Sequence, residues 1–361
     1  MHKGKTLQEL ANELQRREEA KRDYVADTRL LLMEPDGDQL MVQRNSGYEQ
    51  IATHTTSHAH GQLATWAGIP RKYYDKMMES DPALLSMNVN HWLKSPQKET
   101  RRMVRTLDGQ FRAFLSDRYR IIDNYQVAQA ALAPMLELSD RRELEILSCD
   151  VTDRRLYIQA RFPRLEREVK VNDPVQAGVI ITNSEIGAGS LVVKPLLYRL
   201  VCLNGMVVGD EITDTRMRRN HVGRRVQEDE DHSIYSDETL EADDKALMLK
   251  IRDTILALTD TEKFSIIMNR MREAASSEAA QDPVKAVDEV IELLQVPHHY
   301  RGGILESLIK DHDYTLWGVA NAITAQANEA ESYDDAVDLE QLGSKVITLD
   351  PTQWQRIARA A

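Results

Sequence analysis

Helical spacing of the apolar positions dominates the first 95 residues. Residues 1–25 carry one apolar stripe and predict a single amphipathic helix. A short strand pair, Arg29–Met33 and Leu40–Gln43, follows, and the Pro-Asp-Gly sequence between the two strands is a strong turn signal. Residues 58–94 predict a small helical unit, in which Pro70 stands at the start of a helix. We therefore expect helices and one hairpin in this part of the chain.

Alternation of period two begins at Arg101. The segments Arg102–Leu107 and Gln110–Ser116 flank Asp108-Gly109, which is a favoured turn pair for tight hairpins. A helix is expected at residues 125–137. Four further strands are expected at Leu144–Val151, Arg155–Phe162, Gln176–Asn183 and Ser190–Cys202. Successive strands joined by short loops predict an antiparallel β-meander.

The strand Arg155–Phe162 shows a two-faced pattern. Its apolar face carries Leu156, Ile158, Ala160 and Phe162. Its other face carries Tyr157, Gln159 and Arg161. We expect the apolar face to pack in the core, because alternate residues of a strand point to opposite sides of the sheet.

The last third of the chain shows only helical stripes. The stripes fall within Leu247–Leu258, Val287–Leu294 and Trp317–Thr324. We therefore predict an α+β fold, with an antiparallel β-meander core, flanking helices and an all-helical C-terminal region. The predicted divisions are an N-terminal helical and hairpin region (1–95), a basic antiparallel α+β core (96–226), an acidic linker (227–244) and a helical C-terminal region (245–361).

Composition narrows the class of protein. The 361 residues are 42% hydrophobic and 29% charged, which is typical of a globular protein and too apolar for disorder. No run approaches the roughly 20 apolar residues that span a bilayer, and the N-terminus lacks an apolar signal core. The two cysteines, Cys149 and Cys202, fit a reducing compartment better than a disulfide framework. We expect a cytoplasmic protein without membrane contact.

The charge is unevenly distributed. The net charge of −12 argues against a nucleic-acid partner at first. However, residues 91–225 contain 23 Lys and Arg against 17 Asp and Glu, whereas the rest of the chain contains 23 against 41. A basic centre with acidic flanks suits a binding core with an acidic helical appendage.

Arginines on the predicted strands are the candidates for nucleic-acid binding, because a planar guanidinium suits both phosphates and base stacking. They are Arg102, Arg105, Arg112, Arg118, Arg120, Arg154, Arg155, Arg161 and Arg199, followed by a later cluster of Arg216, Arg218, Arg219, Arg224 and Arg225. Phe111, Tyr119 and Tyr157 are the candidates for base stacking. The alternative is that many of these arginines pair with nearby Asp and Glu.

Residues Gln62–Met78 resemble a helix-turn-helix motif, which could also bind nucleic acid. Arg71 and Lys72 lie on its second helix. A plain helical packing unit is the alternative that we favour.

No catalytic or metal-binding motif can be assigned. The loop Gly187-Ala-Gly189 lacks the Lys-Ser/Thr of a phosphate-binding P-loop and joins two strands, so it is interpreted as a hairpin loop. His54, His58 and His60 lie close together, but no Glu or Cys completes a site at the required spacing. The pair His298-His299 is a weaker candidate for a metal site. We expect a protein that is not an enzyme and that needs no cofactor or metal.

Several longer motifs resemble a known family. GIPRKYYDKM, NVNHWL, RRMVRTLDGQFRAFLSDRYRIIDN, GVIITNSEIGAGSLVV, YRLVCLNGMV and TLWGVANAIT occur in this order. Over residues 45–350 the chain resembles the phage/plasmid-like proteins that carry a domain of unknown function, with relatives in prophages and on conjugative plasmids. The resemblance implies a mobile element in the cytoplasm of a bacterial host, and it implies no biochemical activity.

A second resemblance concerns topology alone. A helix followed by a β-meander is similar to the core of ring-forming single-strand annealing proteins, namely the eukaryotic Rad-type annealase and the phage Erf, RecT and Red-beta types. Our leading hypothesis is a single-stranded DNA-binding and strand-annealing recombination protein that forms a homo-oligomer. The alternative is a protein-interaction module that antagonises host defence or regulates a mobile element, with partners bound through the acidic C-terminal region.

Overall fold

The computed structural model describes residues 4–44, 47–95, 97, 100–141, 143–212, 217–219 and 237–360. Among them, no helix is long and apolar enough to cross a membrane.

The N-terminal segment forms a helix and then a strand. Helix α1 covers Leu7–Ala20 and begins with a capping box, in which Thr6 and Glu9 satisfy each other's backbone N–H groups. Strand β1 covers Arg22–Asp27 and pairs antiparallel with a strand 80 residues later, formed by Arg101–Leu107. The prediction of one helix over residues 1–25 is therefore wrong after Ala20, because long-range sheet pairing overrides the local helical pattern.

Residues 31–94 contribute most of a second hydrophobic core, which Val104, Phe111 and Phe114 complete. The expected hairpin is present as β2 and β3, and a further strand β4 extends it into a three-stranded sheet. The helical unit is confirmed as α2, α3 and α4. The bounds are β2 Leu31–Met33, β3 Leu40–Arg44, β4 Gly47–Ala52, α2 Ser57–Ala67, α3 Arg71–Ser80 and α4 Pro82–Lys94. Helix α2 ends at Gly68, whose φ of 68° is a left-handed conformation that suits glycine.

A four-stranded sheet joins this unit to the rest of the chain. Its order is β1-β6-β7-β5, where β5 is His54–Thr55, β6 is Arg101–Leu107 and β7 is Gln110–Ser116. The tight hairpin is confirmed, with φ of 53° at Asp108 and 75° at Gly109, as a two-residue turn of this type requires. The domain boundary expected at residue 95 separates β1 from β6 in the chain, although these two strands pair in one sheet.

A six-stranded antiparallel sheet forms the centre of the protein. Its strands run in the order β12-β11-β10-β9-β8, and β13 also pairs with β11. Helix α5, at Asn124–Asp140, precedes it in the chain. The strand bounds are β8 Glu145–Val151, β9 Leu156–Glu168, β10 Pro174–Asn183, β11 Leu191–Arg199, β12 Asn204–Val207 and β13 Met217–Arg219. The predicted α+β class with an antiparallel meander is confirmed.

The C-terminal region is helical, as predicted. Its helices are α6 Asp237–Ala257, α7 Thr261–Ala275, α8 Pro283–Leu294, α9 Arg301–Asp311, α10 Leu316–Ala325, α11 Tyr333–Ile347 and α12 Pro351–Ala358. Residues 237–244 form the first turns of α6, so the expectation of a linker is wrong for them. The rest of the expected linker, residues 227–236, lies outside the described residues.

Helices cover both faces of the central sheet. Leu156, Ile158, Ala160 and Phe162 lie in the main core together with residues of α1, α5 and α7, as the alternation predicts. On the opposite face, Tyr157 packs in a smaller cluster with Tyr333 and Val337 of α11. Alternation in sequence identifies residues that share a face, but it does not show that the second face is also buried.

Replacing Phe162 with alanine is expected to destabilise the fold by about 3–5 kcal/mol. Phe162 is almost completely buried, so the change removes apolar contacts and leaves a cavity in the main core. Urea denaturation measures the free energy of unfolding. Replacing the exposed Val171 with alanine is the control, for which we expect a change within about 0.5 kcal/mol.

Helix α11 places a carboxyl group against the sheet. Glu340 is 1% exposed, and one of its oxygens accepts a hydrogen bond of 2.7 Å from the Gln159 amide. Burial raises the pKa of Glu340 to about 7. Oε1 of Gln159 is buried with no donor among the described residues, and a protonated Glu340 has a hydroxyl to donate.

Glu340 should make the protein less stable as the pH rises. Because its pKa is higher in the folded protein than the ordinary 4.5, its contribution is fully present below pH 4.5 and is lost as the pH rises through about 7. Glu340→Gln removes this titration. Between pH 4.5 and pH 8, we expect the wild type to lose about 3 kcal/mol more stability than the variant. Denaturation at both pH values measures this difference, and equal pH dependence of the two proteins would contradict the protonated state.

Candidate functional site

Arg105 lies inside the protein and is fully buried. Its guanidinium donates to the carboxylates of Asp23 (2.9 Å) and Asp123 (2.8 Å) and to the backbone carbonyl of Glu185 (2.9 Å). These bonds connect β6 to β1, to the start of α5 and to the loop between β10 and β11. The prediction that Arg105 binds nucleic acid is therefore wrong, because no part of its side chain reaches the surface.

Arg199 has the same structural role at the other end of the central sheet. It is buried, with 7% of its surface exposed, and it donates to Asp173 at 2.6 Å and to Asp311 at 2.9 Å. Asp173 also accepts from the indole of Trp317. The prediction of nucleic-acid binding is wrong for Arg199 as well, because Asp173 and Asp311, which are distant in sequence, hold it in the interior.

Arg155 and Arg161 are engaged within the protein. Arg155 donates from Nε and Nη2 to the backbone carbonyl of Ala188, at 3.1 and 2.7 Å. Arg161 donates to Glu145, and its guanidinium lies 5.3 Å from the centre of the Tyr198 ring. Arg161 thus pairs with an acidic residue, as the alternative expected, whereas Arg155 binds mainly a backbone carbonyl that is distant in sequence.

Arg120 and Arg219 face the acidic start of α6. Arg120 contacts Asp243 and Asp244, and Arg219 donates to Asp243 at 3.0 Å. These pairs are partly exposed, so they are salt-sensitive contacts rather than buried anchors. They show that acidic residues of the C-terminal region lie against basic residues of the core.

The other predicted arginines divide into three groups. Arg102, Arg112 and Arg154 line one cleft. Arg118 and Arg218 are exposed at positions outside the lining of this cleft. Arg216, Arg224 and Arg225 lie outside the described residues.

Two of the three predicted stacking residues have no exposed ring face. Phe111 and Tyr157 are fully buried, and Tyr157 stacks on Tyr333 with ring centres 5.0 Å apart. Tyr119 is half-buried, and its hydroxyl donates to the carbonyl of Ser184. The stacking prediction is therefore wrong for Phe111 and Tyr157, because both rings belong to the core.

The cleft lies between α2, the β6–β7 hairpin and the turn that joins β8 to β9. It has a volume of about 940 Å³, within the range of roughly 300–1,000 Å³ for ligand pockets. Its ionisable lining consists of four arginines, one aspartate and one histidine. These are Arg71, Arg102, Arg112, Arg154, Asp153 and His58. The cleft lining is therefore basic in a chain of net negative charge. Two of its arginines have carboxylate partners outside the lining, since Arg71 pairs with Asp75 and Arg112 with Glu185.

Aromatic side chains occupy one wall of the cleft. Trp66 is half-buried and meets Phe114 edge to face, with ring centres 5.4 Å apart. The guanidinium of Arg102 lies 5.9 Å from the Trp66 ring centre and 5.8 Å from that of Phe114. Burial lowers the pKa of Arg102. A cation beside an aromatic ring forms a surface on which a nucleobase can stack.

The loop between β10 and β11 connects the cleft to the rest of the fold. The carbonyl of Ile186 accepts from His58 Nε2 and from Gln62 Nε2, each at 2.8 Å. Gln62 also accepts from the backbone N–H of Phe114. The glycine-rich sequence is thus a hairpin loop, as interpreted, and its carbonyls hold α2 against the sheets.

The histidines are used for packing. His58 donates through Nε2, and burial lowers its pKa. Burial lowers the pKa of His60 to about 4, and its Nδ1 shares a hydrogen bond of 2.8 Å with the Tyr74 hydroxyl. His54 contacts Asp38. Among the described residues, no group of three or more His, Cys, Asp or Glu is placed to hold a metal ion.

One known protein family matches most of the chain. A family described as a domain of unknown function, DUF932, matches residues 113–343. The chain belongs to the DUF932 family. The match confirms the resemblance to proteins with a domain of unknown function, and it covers the central sheet and most of the C-terminal helices. No curated protein and no solved structure matches the chain.

The DUF932 match covers one side of the cleft only. Phe114, Asp153, Arg154 and Ile186 fall within the matched residues, whereas α2 and β6 precede them. Trp66 was not singled out from the sequence, and Arg71 was considered only as part of a helix-turn-helix. No local signal connects these residues to Arg102, Arg112 and Arg154, because the sheet and the loop bring together segments far apart in sequence.

Proposed function

We propose that this DUF932 protein binds single-stranded nucleic acid in the cleft lined by Arg71, Arg102, Arg112 and Arg154. The observation that carries the proposal is the excess of four arginines over one aspartate in a cleft that also contains the Trp66 ring. Arginines neutralise backbone phosphates, and an aromatic ring supports a base. An unpaired base can reach a ring inside a cleft, whereas a base stacked within a duplex cannot.

We further propose that the protein is a strand-annealing recombination protein of a phage or plasmid, which works without ATP or metal. The order of α5, β8, β9 and β10 supports this reading, since it has the helix-and-meander arrangement of single-strand annealing proteins. A homo-oligomer in the bacterial cytoplasm would extend the cleft into a longer track for the strand.

Titration with a labelled thymidine oligonucleotide, followed by fluorescence anisotropy, tests the proposal. We expect binding that weakens steeply between 50 and 200 mM salt, on the order of tenfold or more if several phosphates are contacted. A duplex of the same length should bind more weakly. Absence of binding, or affinity that does not change with salt, would contradict the proposal.

An apolar surface supports a second candidate function, that of a protein-interaction module. Val171 is 83% exposed in the turn between β9 and β10, and Val201 and Leu203 are 54% and 57% exposed in the turn between β11 and β12. Both turns lie at the same end of the sheet, because Val175 at the start of β10 pairs with Arg199 at the end of β11. Capture of the same host proteins before and after nuclease treatment would favour this candidate. Loss of all captured proteins with nuclease would favour nucleic acid.

A further inference from the structure

Arg112 is a buried cation with unused donors. It is 5% exposed, yet its Nε and Nη2 make no hydrogen bond with any described residue. Nη2 lies 2.8 Å from Oε2 of Glu185, but this oxygen also makes no hydrogen bond among the described residues, so the contact is an ion pair without hydrogen-bond geometry. A buried guanidinium with unused donors is costly, and Arg112 also lines the cleft, so an acceptor that enters the cleft can approach this side chain.

The amino-terminal end of α2 lies in the same cleft. Ser57 and His58, its first two residues, belong to the cleft lining together with Arg112. The first N–H groups of a helix have no acceptor within the helix, and the helix dipole favours an anion there. Arg71 supports this end, because its guanidinium donates to the carbonyl and the hydroxyl of Ser57.

A third unused donor lies beside the aromatic wall. Nε of Arg102 is buried and makes no hydrogen bond with the described residues, while its guanidinium lies beside Trp66. A guanidinium is a cation with donors only, so Arg102 and Arg112 favour a group that offers acceptors and negative charge. A phosphate offers several such oxygens, and a base attached to it could reach the ring of Trp66.

We propose that the cleft contains a seat for a single phosphate group of a nucleotide, formed by the guanidinium of Arg112 and the amino-terminal end of α2. The base of the same nucleotide stacks on Trp66 and Arg102. The inference deepens the proposed function and rests on it for the class of ligand. The phosphate belongs either to a single strand or to a free nucleotide, since both present the same chemistry.

Calorimetry with thymidine 5′-monophosphate, inorganic phosphate and a thymidine oligonucleotide tests the seat in the full-length protein. Arg112→Lys keeps the charge that faces Glu185 but removes the planar group with its Nε and Nη2. We expect one site for the mononucleotide and at least tenfold weaker binding by the variant. Arg199→Lys is the matched control, because Arg199 is also a buried, ion-paired arginine but does not line the cleft. It should bind as the wild type does.

Ser57→Pro is a second variant that tests the helix end without touching Arg112. Proline is well tolerated at the first position of a helix, and Thr56 already has the extended backbone that precedes proline. The change removes one N–H donor and the hydroxyl that accepts from Arg71, and it leaves the net charge unchanged. We expect several-fold weaker mononucleotide binding, which can be measured even if Arg112→Lys fails to fold.

The outcomes separate the seat from the proposed function. If both variants bind the mononucleotide and the oligonucleotide as the wild type does, the seat is overturned and nucleic-acid binding stands. If the mononucleotide binds through Arg112 but the oligonucleotide does not bind, the seat stands for a free nucleotide and the proposed function is overturned. If the oligonucleotide displaces the mononucleotide and both depend on Arg112, the phosphate belongs to the strand. If the wild type binds none of the three probes, both proposals are overturned.

Discussion

Replacing Arg105 with leucine is expected to destabilise the protein by about 3–5 kcal/mol. Its guanidinium is fully buried and lies against two carboxylates, those of Asp23 and Asp123. Removing the cation leaves these charges near or inside the protein without compensation, which is more costly than the net value of the ion pair. Lys21 remains beside Asp123 and offsets a part of this cost. Urea denaturation at neutral pH measures the loss.

Arg164→Leu is the matched control for Arg105. Arg164 is also paired with a glutamate, Glu143, but its side chain is 66% exposed. An exposed pair contributes at most about 1 kcal/mol, so the control should remain close to the wild type. Equal stability of the two variants would show that Arg105 does not connect β1, β6 and α5 as described.

Reversing the charge of Arg102 and Arg154 is expected to produce the largest loss of binding. The wild-type cleft lining contains four arginines and one aspartate. In the double variant Arg102→Glu and Arg154→Glu, it contains two arginines and three acidic residues. We expect single-strand affinity to fall on the order of 100-fold at moderate salt, because phosphate contacts are lost and repulsion is added. Arg154 is exposed, and Arg102 lies at the partly exposed wall, so the fold should tolerate the change.

The control for this experiment uses arginines that are exposed elsewhere. Arg118→Glu with Arg218→Glu makes the same change of net charge outside the cleft lining. If binding depends on the cleft, this control should lose much less affinity than the cleft variant. An equal loss in both variants would indicate a diffuse basic surface, as the sequence suggested, rather than a defined cleft.

The fold was largely predictable because its elements carry local signals. Asp108-Gly109 identified the β6–β7 hairpin, and alternation along β9 identified the face in the core. Strand β1 escaped prediction because its partner β6 is about 80 residues away. Helix α6 begins earlier than predicted, because the acidic composition of residues 237–244 suggested a linker although their backbone is helical.

The candidate site was less predictable, because the sequence shows which residues are charged but not where their partners lie. Arg105, Arg112 and Arg154 look equivalent in the chain. In the structure, Arg105 is enclosed by Asp23 and Asp123, Arg112 retains unused donors, and Arg154 is exposed. The difference arises from contacts between segments that are distant in sequence.

Photo-cross-linking of a thymidine-analogue oligonucleotide, with the adducts mapped by mass spectrometry, tests most directly whether the strand lies in the cleft. We predict adducts on Trp66 and on peptides from α2 and the β6–β7 hairpin. These adducts should be lost in the Arg102→Glu and Arg154→Glu variant. Adducts confined to the turns around Val171 and Val201, or no adducts at a concentration at which the oligonucleotide is bound, would contradict binding in the cleft.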